Sequence, residues 1–271
     1  FSPSGSIAYE LTDDVNVYGR IATGYKTGGT SQRSANPTNF AVGFEPEEVL
    51  SYELGTKGSL LDGRLAFNAA VFLMEFDKYQ ASLQTGSTPG DRDFVGIDKN
   101  EIKGFEGDIT FAATQNLTLN ASLGILDTQI GADQGVTLNQ TGGTIITPFT
   151  ERFSYAPEVT YTLGMNYERT LVDGLGFGFN VNYAHQSEME TSSNLPDNAL
   201  LQSRGILDAG VMLTKRDAGG LGDMKVRVWG KNLTDEEYFT VHYTSFAAFG
   251  SSRVAEFGEP RMYGITLSFE H

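Results

Sequence analysis

Few side chains in this sequence could perform chemistry, and none of them form a catalytic set. There is no Cys, and the three histidines, His185, His242 and His271, are scattered. A thiolate metal site and a disulfide scaffold are therefore excluded, and a histidine metal cluster has little to draw on. No GxSxG or HExxH spacing occurs, and no His stands near an activatable Ser. Glu236 and Glu237 are adjacent, a spacing from which no acid–base geometry follows. The reading is a protein that is not an enzyme.

Four other constellations have a chemical meaning to weigh. Asp91, Asp93, Asp98 and Glu101 could hold a hard cation such as Ca²⁺. Their spacing matches no EF-hand, and a solvated acidic loop is the better reading. His242-Tyr243 offers two residue types that ligate haem iron, against a reading as polar loop surface. Asn116-Leu117-Thr118 and Asn232-Leu233-Thr234 match the glycosylation sequon, and both read better as strand-end asparagines. Gly174-x-Gly176-x-Gly178 lacks the spacing of a dinucleotide loop and precedes no helix. No cofactor or resident metal is expected.

The elements that would carry any site are strands. The 271 residues include 18 Phe, 12 Tyr and 32 Gly, and the net charge is −15. That charge argues against nucleic acid, whose phosphates call for clustered Lys and Arg. Mean hydropathy is −0.24, and no run approaches the ~20 apolar residues of a spanning helix. A membrane barrel tolerates this, because only every second residue of a strand must face lipid.

Period-two alternation recurs eleven times. It begins at Ile7-Tyr9-Leu11, Val15-Val17-Gly19-Ile21, Leu50-Tyr52-Leu54 and Leu65-Phe67-Ala69-Val71-Leu73. It continues through Phe105-Ile109-Phe111, Leu117 to Ile125, Val159 to Tyr167, Leu175 to Tyr183 and Leu207 to Leu213. It closes with Met224-Val226-Val228 and Tyr263-Ile265-Leu267-Phe269. Connections alternate between short, such as Leu61-Asp62-Gly63-Arg64, and long. Residues 26–46, 79–93, 128–155, 187–203 and the stretch before Tyr263 are expected as long polar loops without strands of their own. Apolar and polar faces continue from strand to strand, and strands of this length cross a bilayer at a tilt. The fold expected is all-β, an antiparallel transmembrane β-barrel of about 11 strands. Bacterial barrels have even strand numbers, so an earlier strand is expected ahead of the first. The last strand should then show an unpaired edge, or pair with residues 5–11.

Five segments in order resemble the TonB-dependent outer-membrane receptors. They are Val17 to Lys26, then Glu45-Pro46-Glu47 with Ser51-Tyr52-Glu53-Leu54-Gly55-Thr56-Lys57, then Lys103-Gly104-Phe105-Glu106. The last two are Lys231-Asn232-Leu233-Thr234-Asp235-Glu236-Glu237-Tyr238 and Glu259-Pro260-Arg261-Met262-Tyr263-Gly264. The resemblance implies a 22-strand barrel of the bacterial outer membrane with an N-terminal plug and a TonB box. Residues 1–271 would then be a partial domain, the C-terminal half of the barrel without the plug. It further implies import of a scarce ligand, most often a ferric siderophore, with energy from TonB, ExbB and ExbD. Partners would be outer-membrane lipid, that TonB system and the small nutrient. A passive porin is the alternative, and a soluble β-rich binding protein a third reading. Ligand contacts are expected from aromatic and Arg side chains on external loops: Arg33, Phe40, Tyr243, Phe246, Phe249 and Arg253.

Overall fold

Alternation of apolar and polar residues builds one large sheet. The computed structural model describes residues 1–84, 91–131, 136–140, 143–147, 152–172, 174–191, 200–216, 222–244 and 253–270. The sheet comprises β1 (Ser4–Thr12), β2 (Val15–Lys26), β3 (Glu47–Leu60), β4 (Leu65–Asp77), β7 (Asn100–Ala112), β8 (Leu117–Gln129), β11 (Val159–Thr170), β12 (Leu175–Gln186), β15 (Arg204–Lys215), β16 (Asp223–Lys231) and β19 (Met262–Glu270). These eleven strands lie side by side in chain order, each antiparallel to its neighbours. Among the described residues β1 and β19 are the two edges and do not pair with each other, the unpaired-edge outcome.

Register explains the two faces. Side chains directly opposite in neighbouring strands share a face. Ile21 stands opposite Tyr52, Leu54 opposite Val71, and Val71 opposite Phe105. The row continues through Ile125 and Val159, and a parallel row runs Phe179, Val211, Val228, Ile265. Most of these apolar residues are exposed, Ile265 at 70 % and Leu54 at 62 %, and Phe105, Val159 and Phe179 are half-buried. A band of this extent on a soluble monomer would be an aggregation liability; on a barrel it faces hydrocarbon.

The opposite face is polar and cross-linked between strands. Asn68 donates to Asp108 at 3.3 Å, Thr110 to Asn120 at 3.2 Å, and Arg227 to Asn180 at 3.3 Å. Ser122 and Thr162 share a hydrogen bond of 2.6 Å. The Trp229 indole donates to Thr266 at 3.1 Å, and its ring lies across Gly264, where a Cβ would collide with it. This wall is a lumen surface.

The described short connections are as expected, while the turns at 172–174 and 217–222 lie partly outside the described residues. Leu61 and Asp62 take positive φ (56° and 55°) and Gly63 follows at 82°, which turns β3 tightly into β4. The long connections differ from expectation. They hold four hairpins: β5 (Tyr79–Gln84) with β6 (Arg92–Ile97), β9 (Val136–Gln140) with β10 (Gly143–Thr147), β13 (Met189–Glu190) with β14 (Leu200–Leu201), and β17 (Phe239–Thr244) with β18 (Arg253–Phe257). Residues 26–46 hold a one-and-a-half-turn helix, α1 (Pro37–Val42). Asn36 caps it through a bond from the Thr38 amide, Pro37 opens it, and Gly43 ends it at φ 73°. Six-residue elements are too short for periodicity to separate them from loop.

Candidate functional site

Among the described residues the buried apolar cluster is not in the sheet but in the external loops. Ala81, Ile97, Ile130 and Phe153 form it, with Tyr79, Val95, Ile102 and Ala156 packed around. Phe153 meets Tyr79 edge-on at 4.9 Å. Ile102 stands opposite Met74, between the outward-facing Glu101 and Lys103, so it belongs to the lumen face. The β5–β6 hairpin therefore folds inward over the barrel mouth. Leu83, on the same hairpin, has no exposed surface. Leu83→Ala should cost about 2–5 kcal/mol locally. The expected result is faster proteolytic nicking within residues 79–97 while the strands stay resistant.

The 26–46 loop is clasped onto this hairpin. Gln80 donates its side-chain amide to the Thr27 and Glu45 carbonyls at 3.0 and 3.1 Å, and its backbone amide to Glu47 at 2.8 Å. Asn39 of α1 donates to Asp93 at 3.0 Å. The Phe94 amide donates to the Ser31 hydroxyl at 2.8 Å, and Phe44 packs on Phe94 at 5.0 Å. The Arg92 amide donates to the Arg33 carbonyl at 2.8 Å. Two loops separated by about fifty residues of sequence thus form one rigid body.

That body brings two arginines together among the carboxylates of Glu47 and Asp93. Arg92 anchors its guanidinium on Ser82, donating from Nε to Oγ at 3.0 Å and from Nη2 to the carbonyl at 2.9 Å. Burial lowers the Arg92 pKa, and the neighbouring charge of Arg33 lowers it further. Arginine side chains at the mouth suit an anionic group. Burial, and then the Glu47 carboxylate, push the Tyr79 phenol up.

Of the expected ligand residues, Arg33 lies in this body and Phe40 projects from α1, half exposed. Tyr243 and Arg253 lie on β17 and β18, where Tyr243 is opposite Val254 and Thr244 opposite Arg253. Their side chains, and all of Phe246 and Phe249, lie outside the described residues. The structure brings Arg33 beside Arg92, a partner that sequence spacing does not suggest. It places Arg33 in the 26–46 loop and Tyr243 on the β17–β18 hairpin.

The acidic set is dispersed. Asp98 takes Lys78 at 3.2 Å, Glu101 takes Lys103 at 3.1 Å, and Asp93 takes Asn39. Among the described residues no group of three acids or histidines could hold a metal ion. The hydrogen bond from Lys78 holds the Asp98 carboxyl below the usual range and raises the lysine. A depressed folded pKa contributes stability that is full above the unfolded Asp value of about 3.9. It is lost as pH falls through the lower folded value. Hydrogen-exchange protection around 78–99, corrected for intrinsic rate, should therefore drop as pH falls below about 4; Asp98→Asn should remove that step.

His242 stacks against Phe239 at 6.2 Å, and its carbonyl accepts from Thr191 at 2.6 Å, a loop-to-loop contact. Asn232 is 2 % exposed and takes φ 48°. Its amide donates to Asp208 at 2.9 Å, and its Nδ2 donates to the Glu236 and Glu259 carbonyls at 2.9 and 3.1 Å. Its Oδ1 accepts from the Glu236 amide at 2.8 Å. The side chain is a structural rivet joining both ends of the last external loop, so the strand-end reading holds and deepens.

Comparison with known proteins places this geometry. The family described as TonB dependent receptor-like, beta-barrel matches residues 1–233. The pesticin receptor of Yersinia pestis is 26% identical over 275 residues, covering 98% of this chain and 35% of that protein. The metal-pseudopaline receptor CntO of Pseudomonas aeruginosa is 25% identical over 135 residues, 50% of this chain and 18% of that protein. The solved ferric yersiniabactin uptake receptor FyuA of Yersinia pestis shares the fold, with a TM-score of 0.71 at 21% identity over 97% of this chain and 36% of that one. The chain thus spans no more than 35% of the length of these two curated relatives. It belongs to the TonB-dependent receptors, as part of their outer-membrane β-barrel.

Proposed function

We propose that the chain is the ligand-facing barrel part of a receptor that binds a ferric siderophore, or a comparable scarce chelate, and imports it with energy from TonB, ExbB and ExbD. The observation that carries the reading is the inward-folded loop body at the mouth, on which a backbone hydrogen bond joins Arg92 to Arg33. Iron chelates are commonly anionic and rigid, and guanidiniums and aromatic rings anchor such ligands. Relatives named for ferric yersiniabactin and for a metal-pseudopaline complex support this class of ligand. Arg33, Phe40, Tyr243, Phe246, Phe249 and Arg253, with Arg92 added, are the proposed contacts.

The test is growth of a deletion strain under iron limitation, fed defined ferric chelators one at a time. Loss of growth on one chelator, restored by the intact gene and not by an Arg33→Ala, Arg92→Ala pair, is the expected result. Unchanged growth on every chelator contradicts the iron reading. The passive-porin alternative predicts uptake that survives removal of TonB.

A further inference from the structure

The 26–46 loop is pinned at both ends and held lightly in its middle. At the ends, Gly29 and Phe44 exchange backbone hydrogen bonds at 3.1 and 2.7 Å, Ser31 accepts from the Phe94 amide at 2.8 Å, and Gln80 donates to the Thr27 and Glu45 carbonyls. Between these pins runs α1, which buries none of its residues. Phe40 and Val42 stand 49 % and 79 % exposed on it. A helix of this length is not stable by itself. Among the described residues one hydrogen bond ties α1 to the hairpin, from Asn39 Nδ2 to Asp93 Oδ2 at 3.0 Å.

The acceptor in that bond is badly served for a carboxylate. Asp93 is 2 % exposed, and its Oδ1 meets no hydrogen-bond donor. It stands opposite Leu83, which has no exposed surface. Adjacent residues of a strand face opposite ways, and Arg92 directs two guanidinium nitrogens at Ser82. A buried carboxylate calls for a paired charge or several donors; this one has a single neutral amide. An asparagine of the same shape would accept the same bond without the cost of a buried charge. The acid is therefore suited to a second position of α1, in which the helix is lifted and water reaches the carboxylate.

We infer that α1 is a flap, hinged at its two pinned ends, and that Asp93 is the latch that keeps its closed and lifted positions close in energy. Closure gains the Asn39 bond and loses the hydration of Asp93; lifting reverses both. Such a balance is what lets a small differential contact shift populations. The flap carries Phe40, so it moves a proposed ligand contact onto and off the mouth. That consequence rests on the ligand reading proposed for the mouth; the two positions of the flap do not.

Double electron–electron resonance on the full-length receptor, with no ligand added, tests it. Nitroxides go on Val42→Cys in α1 and on Asp62→Cys in a short turn at the far end of the barrel, in a background without other cysteines. Two distances are expected, for closed and lifted α1. Asp93→Asn should lower the ratio of lifted to closed by about tenfold or more, the scale set by one unpaired buried oxygen. Asn39→Ala, which keeps the acid and removes the bond, should raise that ratio, and it serves alone should Asp93→Asn not fold. A clasp with only a structural role predicts the opposite sign for Asp93→Asn, because the substitution weakens a charge-assisted bond. A single distance in the parent receptor, a lifted fraction that Asp93→Asn leaves unchanged or raises, or one that Asn39→Ala fails to raise would overturn the proposal. No chelator takes part, so failure here is distinguishable from failure of the iron reading.

Discussion

Leu163→Arg should destabilise the barrel by about 2–4 kcal/mol, while Thr162→Arg, one residue away, should cost only about 1 kcal/mol. Leu163 sits midway along β11, opposite Ala121 and Tyr183, and is 52 % exposed on the outward face. An arginine there must be inserted into hydrocarbon near the bilayer midplane or drag water with it. Thr162 stands opposite Ser122 and Ala184 on the polar wall. Its replacement loses the 2.6 Å hydroxyl bond to Ser122 but leaves the charge in a wet lumen. The check is the denaturant midpoint of each variant folded into the same lipid vesicles. Equal costs at the two positions would refute the assignment of faces.

Asn232→Ala should cost about 3 kcal/mol. Three causes act together. The side chain is buried, so the two carbonyls it serves lose their donor without gaining water. The Glu236 amide loses its acceptor. Alanine also resists φ 48°, which asparagine tolerates. Asn232→Gly separates the causes, because it accepts the backbone angle and lacks the hydrogen bonds. Its thermal transition in detergent should fall between those of the alanine variant and the parent. The Arg261–Asp235 pair at 2.9 Å and the Lys231–Glu259 pair at 3.2 Å flank the same rivet. They are half exposed, so their removal should matter far less.

Nine of the eleven large strands were legible because they sustain alternation over about eight residues or more; Ile7-Tyr9-Leu11 and Phe105-Ile109-Phe111 give shorter or broken patterns and were legible by their place in the short–long rhythm. Strand ends were less legible. β3 runs from Glu47 and β4 to Asp77, beyond the apolar positions that reveal them, because above the membrane a strand no longer needs a lipid-facing residue. The loop hairpins escaped notice for a related reason. Tyr79, Ala81 and Leu83 do alternate with Gln80 and Ser82, but six residues are too few to outweigh the Gly and Pro that follow. The cues for α1 were present in Asn36-Pro37 and Gly43, yet six residues give no helical stripe.

The candidate site was legible only as a residue class. Arg33 and Phe40 could be chosen because loops carry recognition and these side chains make good anchors. The pairing of Arg33 with Arg92 depends on a backbone bond across 59 positions, which no local pattern encodes. Asn232 gave a different lesson. Its place in a family-like segment drew attention to it, but its burial, and hence its weight, follows only from the chain folding back to Glu259.

Residues 1–271 contain no cysteine, so a cysteine introduced here reports sidedness when its labelling is read against that of the parent receptor. The decisive measurement is labelling of single cysteines in the full-length receptor, in intact cells, by a maleimide too large to cross the outer membrane. Phe40→Cys, on the loop body, should label at once. Asp62→Cys, in a short turn, should label only after the outer membrane is opened. Leu163→Cys, in the lipid band, should label in neither case. Labelling of Asp62→Cys in intact cells with protection of Phe40→Cys, or ready labelling of Leu163→Cys, would contradict a barrel whose mouth receives its ligand from outside.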